Sequence, residues 1–568
     1  LKLGRSTLFV IVAIATALHT PILRAGFVGD DYVLLAAVEG RSPLGNTPFN
    51  LWSFHDGIPE HTRELVRHGG LPWWTEPTAS HAFWRPLSSG MLTLAHGLLQ
   101  HRAAGYHALS LLVCAINVVL VGLLYRRLLP RPAAVVALVF FAAHPLHIWP
   151  IHWLSAIHIP LASAFGSLAL LANIRYRDEG WAAGRALSCA ALVLGLLAGE
   201  AGLCFVPYLV AAELLAQGLT LGVVRSLAPQ LALAFGYVVL YRGAGFGAHA
   251  IDGYLDPAEG VGRFAAGMGT RVTGAWPQLL TAGVDDLLGE GSAATMTGEI
   301  VVGFSFAVGL GLAALLQPAS RRALAVWTVA TLVAALPACL GPTDRALFGA
   351  TFGAAAICGL AVAACVEATR RHGVRGGIRL LAAVAAIVLV ACRGVIGAAI
   401  TFDAARASKA ISAAQRRGIA ALPLANPGGT DVVVLLADDQ AMGPWGDIVH
   451  AWKSGERARS WQALSLTSGP HRLTRLDERS FDLEPGAPDG FSPYIYRNTD
   501  RHPLEVGERF GTPGLSIEVT ATARGRATRV RIHAERSLDD PGWCFATRAD
   551  GYLVRVMMPP AGRGGILM

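Results

Sequence analysis

Charge is what this sequence has least of. Only 15% of its 568 residues are Asp, Glu, Lys or Arg, where a soluble protein of this length carries about a quarter. The deficit is uneven. Residues 1–400 hold repeated long apolar runs, whereas 401–568 have ordinary soluble composition. With a mean hydropathy of +0.46, the first part reads as a mainly α, polytopic transmembrane helical bundle. The second reads as a small appended α/β or β-rich domain.

Other absences narrow the function. There is no phosphate-binding P-loop, no zincin motif and no nucleophile elbow, so cytosolic nucleotide chemistry has no visible machinery. The net charge is +8, but no basic stripe with interleaved aromatics accompanies it, which argues against a nucleic-acid partner. Seven of the eight cysteines, Cys114 through Cys392, lie within apolar runs, and Cys544 stands alone in the soluble part. They read as small buried residues and not as a disulfide framework or metal site. No small-x-small cleavage site follows the first apolar run before Asp30, so an uncleaved first helix is expected.

What is present is a series of runs long enough to span a bilayer, for which about 20 apolar residues are needed. Eleven are read, at 7–24, 106–124, 133–149, 153–172, 186–199, 203–217, 226–242, 300–316, 323–340, 346–366 and 380–400. Every second connection is basic: Lys2 and Arg5, then Arg126, Arg127 and Arg131, then Arg175, Arg177 and Arg185, then Arg225, Arg321 and Arg322, and Arg370 to Arg379. Lys/Arg-rich loops stay in the cytoplasm. The pattern predicts a multi-pass protein of a bacterial inner (plasma) membrane, with a cytoplasmic N-terminus and an extracytoplasmic C-terminal domain. Segment 88–100 is too short to span and reads as a re-entrant or interfacial helix.

The opposite face collects the chemistry. Asp30 and Asp31 follow the first span, and a carboxylate pair at a membrane helix end is costly without a role. Mutual repulsion raises one pKa, which suits a general base toward a hydroxyl; a solvated helix end or an N-cap is the plainer reading. Arg85, within Phe83-Trp84-Arg85-Pro86-Leu87, offers a planar fork for phosphate, or simply anchors the interface. His144, His147, His152 and His158 crowd one turn, where they could bind phosphate, shuttle a proton or hold a metal, or only pack helix ends. With His144 and His147 three residues apart, Asp30 or Asp31 could complete a metal site, although no full ligand signature is present. Glu200 interrupts an apolar stretch and needs a partner if buried. Asp344 and Arg345 pair locally or leave Arg345 to an anionic substrate. Asp285-Asp286 and Asp438-Asp439 read as solvated or capped loops. In the C-terminal part, Asp431 to Ala437 reads as a strand, a helix follows through Trp452, and Leu515–Ile532 and Trp543–Met557 read as β-hairpins.

The order of these pieces resembles the GT-C glycosyltransferases, and within them the transmembrane O-mannosyltransferase-like branch, here without tetratricopeptide repeats. Asp30-Asp31 is similar to the acidic pair after that family's first helix. Trp84-Arg85-Pro86-Leu87, running through Gly105-Tyr106-His107 to Asn117, resembles its Arg-Pro-Leu and Gly-Tyr-His stretch. Ala143-His144-Pro145-Leu146-His147 and Trp153-Leu154-Ser155 resemble its His-Pro-x-His and Trp-x-Ser turn. Gly199-Glu200 and Asp344-Arg345-Ala346-Leu347-Phe348 match later landmarks. The likeness covers roughly residues 7–400. It departs at Ile157-His158, where a basic residue and an Asp are usual, at Gly199 in place of Lys, and at Ala346 in place of Tyr.

The resemblance implies a hexosyl- or mannosyltransferase-like enzyme that moves a sugar from a polyprenyl-phosphate donor to a hydroxyl acceptor on a protein, lipid or glycan. The displacement would be single and inverting. It implies a catalytic base at Asp30 or Asp31, with Asp31 slightly favoured. Substrate contacts would fall to Arg85, His107, His144, His147, His158, Glu200 and Arg345, with Arg85, His147 and Arg345 toward the phosphate. The resemblance fixes no cofactor and leaves room for a divalent ion (Mg or Mn). Membrane lipid is the remaining partner, and residues 401–568 would be an accessory module for acceptor binding. A multi-spanning transporter or lipid flippase is the alternative that the span count alone leaves open.

Overall fold

The computed structural model describes residues 4–42, 44–281, 293–316, 318–341, 344–420, 422–424, 426–437, 442–488, 490–491 and 494–567. Asp285, Asp286, Asp438 and Asp439 lie outside the described residues. The chain divides into two compact units. The first comprises Leu1–Ala25, Arg85–Leu240 and Leu255–Lys409, and the second Gly26–Trp84, Tyr241–Tyr254 and Ala410–Met568.

The first unit is helical because its apolar runs are long and satisfy their own backbone hydrogen bonds, as a bilayer demands. Among the described residues, nine helices are long and apolar enough to cross a membrane. A further pair, Arg131–Ala142 and Pro145–His152, is bent by 49° and would make a tenth span. Pro145 lacks the N–H that would continue the first helix. The run expected at 186–199 is the shorter helix Ala183–Ala198. The protein is thus a multi-pass, mainly helical membrane protein.

Phe348–Arg370 is the most enclosed span, with 89% of its apolar window buried. Small residues allow that enclosure. A Cβ on Gly359 would lie 2.6 Å from the Ala133 carbonyl oxygen, so the helices meet nearly backbone to backbone. The segment around 88–100 forms the helix Pro86–Leu99, which is not among the candidate spans. It is tied down where the Ser88 hydroxyl donates to the Ala198 carbonyl at 2.7 Å. The stretch read only as a loop, 243–299, instead holds a strand, Gly247–His249, and a 21-residue helix, Val261–Thr281. The strand escaped the reading because three residues carry no periodicity.

The second unit is rich in strands, labelled here in chain order. β1 (Ser53–Asp56), β2 (Ser80–Ala82) and β3 (Gly247–His249) form a small antiparallel sheet. β4 (Asp431–Leu436) runs parallel to β5 (Ser460–Ala463) and to β11 (Trp543–Ala549), with β12 (Tyr552–Arg555) antiparallel at the edge. The helix Gly446–Ser454 lies between β4 and β5 in sequence, the crossover that parallel neighbours require. A six-stranded antiparallel sheet has the order β13-β6-β7-β10-β9-β8. Its strands are β6 (His471–Arg475), β7 (Ser480–Pro485), β8 (Arg509–Thr512), β9 (Leu515–Ala523), β10 (Arg526–Ala534) and β13 (Gly564–Leu567). The β9–β10 hairpin turns at Arg524 and Gly525, both at positive φ, the backbone that a tight two-residue turn needs. The strand, helix and two hairpins expected from sequence are β4, Gly446–Ser454, β9–β10 and β11–β12.

Asp431 opens β4 with only 5% of its side chain exposed, and it pairs with Arg459 and with Arg536, the latter at 2.8 Å. Ser460 Oγ donates to it at 2.7 Å. Burial pushes this carboxyl up, but the hydrogen bonds from Arg459, Ser460 and Arg536 outweigh it and hold the pKa below the usual range. A depressed folded pKa stabilises above the ordinary Asp value of about 4 and is lost as pH falls through the folded value. Asp431→Ala should cost about 2 kcal/mol, discounted because Arg459 is half exposed. Hydrogen exchange of the β4 segment in the full chain should quicken in that variant, and in the parent below about pH 4. Unchanged exchange in both would refute the assignment.

Candidate active site

In the first unit, four distant stretches of chain bring their polar groups together. Arg85 precedes the helix Pro86–Leu99 and is 9% exposed. Its Nε donates to Glu200 Oε2 at 3.0 Å. Glu200 begins the 3-10 turn Glu200–Phe205, where the chain reverses after Ala183–Ala198. The partner of the half-buried Glu200 is therefore Arg85, 115 residues away in sequence. Gly199 makes room beside it: a Cβ there would lie 3.0 Å from His158 Nδ1.

His158 is buried at the start of the helix His158–Glu179, within electrostatic range of both Arg85 and Arg345. Arg345 lies in the turn Asp344–Leu347, its guanidinium carbon 4.4 Å from the Trp153 ring centroid. That cation–π contact holds the guanidinium against the indole. Tyr237, buried in the helix Leu221–Gly243, is within electrostatic range of Glu200 and Arg85. The cluster therefore gathers two guanidinium groups, Arg85 and Arg345, beside the His158 imidazole, with the Glu200 carboxylate on Arg85. A locally cationic, largely buried cluster of this kind suits a phosphate or another anionic group.

The remaining predicted histidines take other positions. His144 Nδ1 accepts the Leu146 N–H at 3.2 Å, and its ring stacks on His147. His147 Nε2 meets Thr351 Oγ1 at 2.9 Å, and its ring lies 4.2 Å from that of Phe348. Both lie within electrostatic range of Arg393. His107 is buried in the helix Ala103–Leu128, near His152, which bonds His19 at 2.8 Å. His158, by contrast, neighbours Arg85 and Arg345.

Sequence reasoning missed Tyr237, a lone tyrosine in an apolar helix, and Arg393. Arg393 is 1% exposed in a π-helical turn, Ala391–Ile396, and donates to the Leu279 carbonyl at 2.7 Å and to that of Leu280. It had been counted within the apolar run 380–400. A lone Arg inside a span was the signal available.

Asp30 and Asp31 belong to the second unit, where they open the helix Asp30–Val38. Two acidic residues in a first turn complement the helix dipole, which favours their charged form. Asp31 is fully buried. Its Oδ2 accepts the Val28 N–H at 3.0 Å, and its own N–H donates to the Val28 carbonyl at 3.1 Å. Gly29, at φ +51° and ψ −120°, supplies the reversal between loop and helix, a conformation open to glycine. Phe27, Tyr32 and Trp452 pack edge to face around this loop, with centroids 5.7–6.1 Å apart. Burial drives the Tyr32 phenol pKa up, so it stays a neutral neighbour of Asp31.

Fold and polar clusters together define a multi-spanning membrane protein with a buried cationic cluster and a carboxylate pair at a helix start. No family model and no curated protein matches the sequence. Solved structures are similar to it. Oligosaccharyltransferase from Archaeoglobus fulgidus, tethered to an acceptor peptide, shares 12% identity at a TM-score of 0.44, covering 78% of this chain. This chain spans 63% of that protein's length. ArnT from Cupriavidus metallidurans, bound to undecaprenyl phosphate, shares 13% identity at a TM-score of 0.38, over 75% of this chain and 82% of its own. Arabinosyltransferase EmbB from Mycobacterium smegmatis shares 14% at a TM-score of 0.33, over 90% of this chain and 47% of its own.

Proposed function

We propose that this protein is a membrane glycosyltransferase of the GT-C kind, which moves a sugar from a polyprenyl-phosphate donor to a hydroxyl acceptor. The observation that carries the reading is the grouping of Arg85 and Arg345 about His158 inside an otherwise apolar bundle, with Glu200 on Arg85. Buried guanidinium groups suit an anion, and a polyprenyl phosphate presents one at membrane depth.

The reaction is a single displacement. The acceptor oxygen bonds to the anomeric carbon as the bond from that carbon to the phosphate oxygen breaks. The acceptor proton passes to a carboxylate of the Asp30–Asp31 pair, and inversion follows from the single step. Polyprenyl phosphate leaves with the bonding electrons, and Arg85 and Arg345 stabilise its growing charge. Glu200 orients Arg85. Asp31 is assigned as the base, because the Val28 N–H holds one of its oxygens and so fixes the direction of the other. Asp30 and Asp31 offer hard oxygen donors that suit Mg or Mn. Transfer takes place on the extracytoplasmic face, and the module 401–568 serves acceptor binding.

The test uses the full chain in lipid vesicles with a panel of polyprenyl-phosphate hexoses and pentoses, with products weighed by mass spectrometry. Transfer of one sugar with release of polyprenyl phosphate is expected. Movement of a lipid-linked sugar across the vesicle without any transfer would favour a flippase and sink the reading.

A further inference from the structure

We infer that Ser412 and Gln415 are positioning residues that set the loop bearing the Asp30–Asp31 pair. They stand three residues apart in the last turns of the helix Gly397–Ala420, and therefore on one face of it. Gly26 N–H donates to Ser412 Oγ at 2.8 Å, and Gly29 N–H donates to Gln415 Oε1 at 3.0 Å. Two loop amides three residues apart are thus matched to two side-chain oxygens three residues apart. The spacing lets one helix face read the loop as a unit.

Three further features make this a fixed seat. Ser412 is fully buried, so its bond to Gly26 works in a low-dielectric setting, where it is stronger and its loss more costly. Gly26 admits the Arg416 guanidinium so closely that a Cβ would lie 3.0 Å from the Arg416 guanidinium carbon. The Phe27, Tyr32 and Trp452 rings pack against one another along the same short loop. The segment from Gly26 to Gly29 is therefore held through its amides at both ends and through Phe27 between them. Asp31 is then tied back to Val28. Two hydrogen bonds from the end of the long helix are transmitted to the carboxylate through four residues of chain.

Positioning matters here because a base displaced by about 1 Å loses on the order of a hundredfold in rate. The inference rests on the reading of Asp31 as the base. The helix Gly397–Ala420 becomes part of the catalytic support.

The experiment uses the full-length protein in nanodiscs with whichever polyprenyl-phosphate sugar the parent protein transfers. Ser412→Ala and Gln415→Ala should each lower kcat about tenfold, with the donor KM unchanged. Amide exchange of the 26–32 peptide should quicken in both. Ser412→Thr, which keeps the hydroxyl, should recover most of the loss. Parental kcat in both alanine variants, a change in KM alone, or a lower kcat without faster exchange at 26–32 would each overturn the inference. A parent that transfers no sugar from any donor sinks the functional reading itself, and the positioning role with it. If Ser412→Ala fails to fold, Gln415→Ala and Ser412→Thr still decide.

Discussion

Asp31→Asn should lower kcat for sugar transfer by about a thousandfold, within the 10²–10⁴ range of a general base. The substitution is informative because it is nearly isosteric. The Asn side-chain oxygen can still accept the Val28 N–H that now meets Asp31 Oδ2, so the loop and the helix Asp30–Val38 should survive. What disappears is the capacity to take a proton. Because Asn also removes a charge from a helix N-terminus, a stability loss of up to about 1 kcal/mol is allowed for. Asp30→Asn, at the more exposed of the two positions, should cost tenfold or less. The paired measurement is kcat against donor KM for both variants, with thermal stability as a control. A reversed order would move the base to Asp30. Parental rates in both would remove acid–base chemistry from this pair altogether.

The second large effect belongs to Arg345. Arg345→Ala should cut kcat about a hundredfold, the scale of one lost charge-stabilising group where negative charge develops. Arg345 is a cleaner probe than Arg85. Removing Arg85 strands Glu200, whose side chain is 24% exposed, and unpaired carboxylates in such places destabilise the fold as well as the reaction. Arg345 leans on an aromatic face, 4.4 Å from the Trp153 centroid. Arg345→Lys should recover only part of the rate, because an ammonium keeps the charge but not the flat fork that stacks on indole and grips phosphate. The kcat/KM of the three forms, measured alongside melting temperature, checks this. Full rescue by Lys would mean that only charge matters there, and no loss in the Ala variant would take Arg345 out of the reaction.

How much of this could be read in advance varies with the range of the interaction. Spans were legible because a membrane helix is a property of about 20 consecutive residues, each backbone bond closing four residues away. The split into two units was legible only in part. Composition separates 401–568, but it says nothing of Gly26–Trp84 and Tyr241–Tyr254, which the structure groups with Ala410–Met568. β1, β2 and β3 are three or four residues each, too short to show alternation, and exist only because partners far along the chain complete their hydrogen bonds.

The same rule governs the polar residues. Sequence by itself singled out Asp30, Asp31, Arg85, His158, Glu200 and Arg345, because a charged or ionisable group in an apolar chain is expensive wherever it lands. It could not say which of them meet. Only the folded bundle decided that Glu200 takes Arg85, that Gly199 leaves space for His158, and that Arg345 rests on Trp153. It also turned His147 toward Thr351. Ser412 and Gln415 carried no signal at all, being ordinary residues of an amphipathic helix. Their value lies in facing Gly26 and Gly29, 386 positions away. Cost is written into single residues and can be read from the chain, whereas the group that offsets the cost is a matter of distance in space.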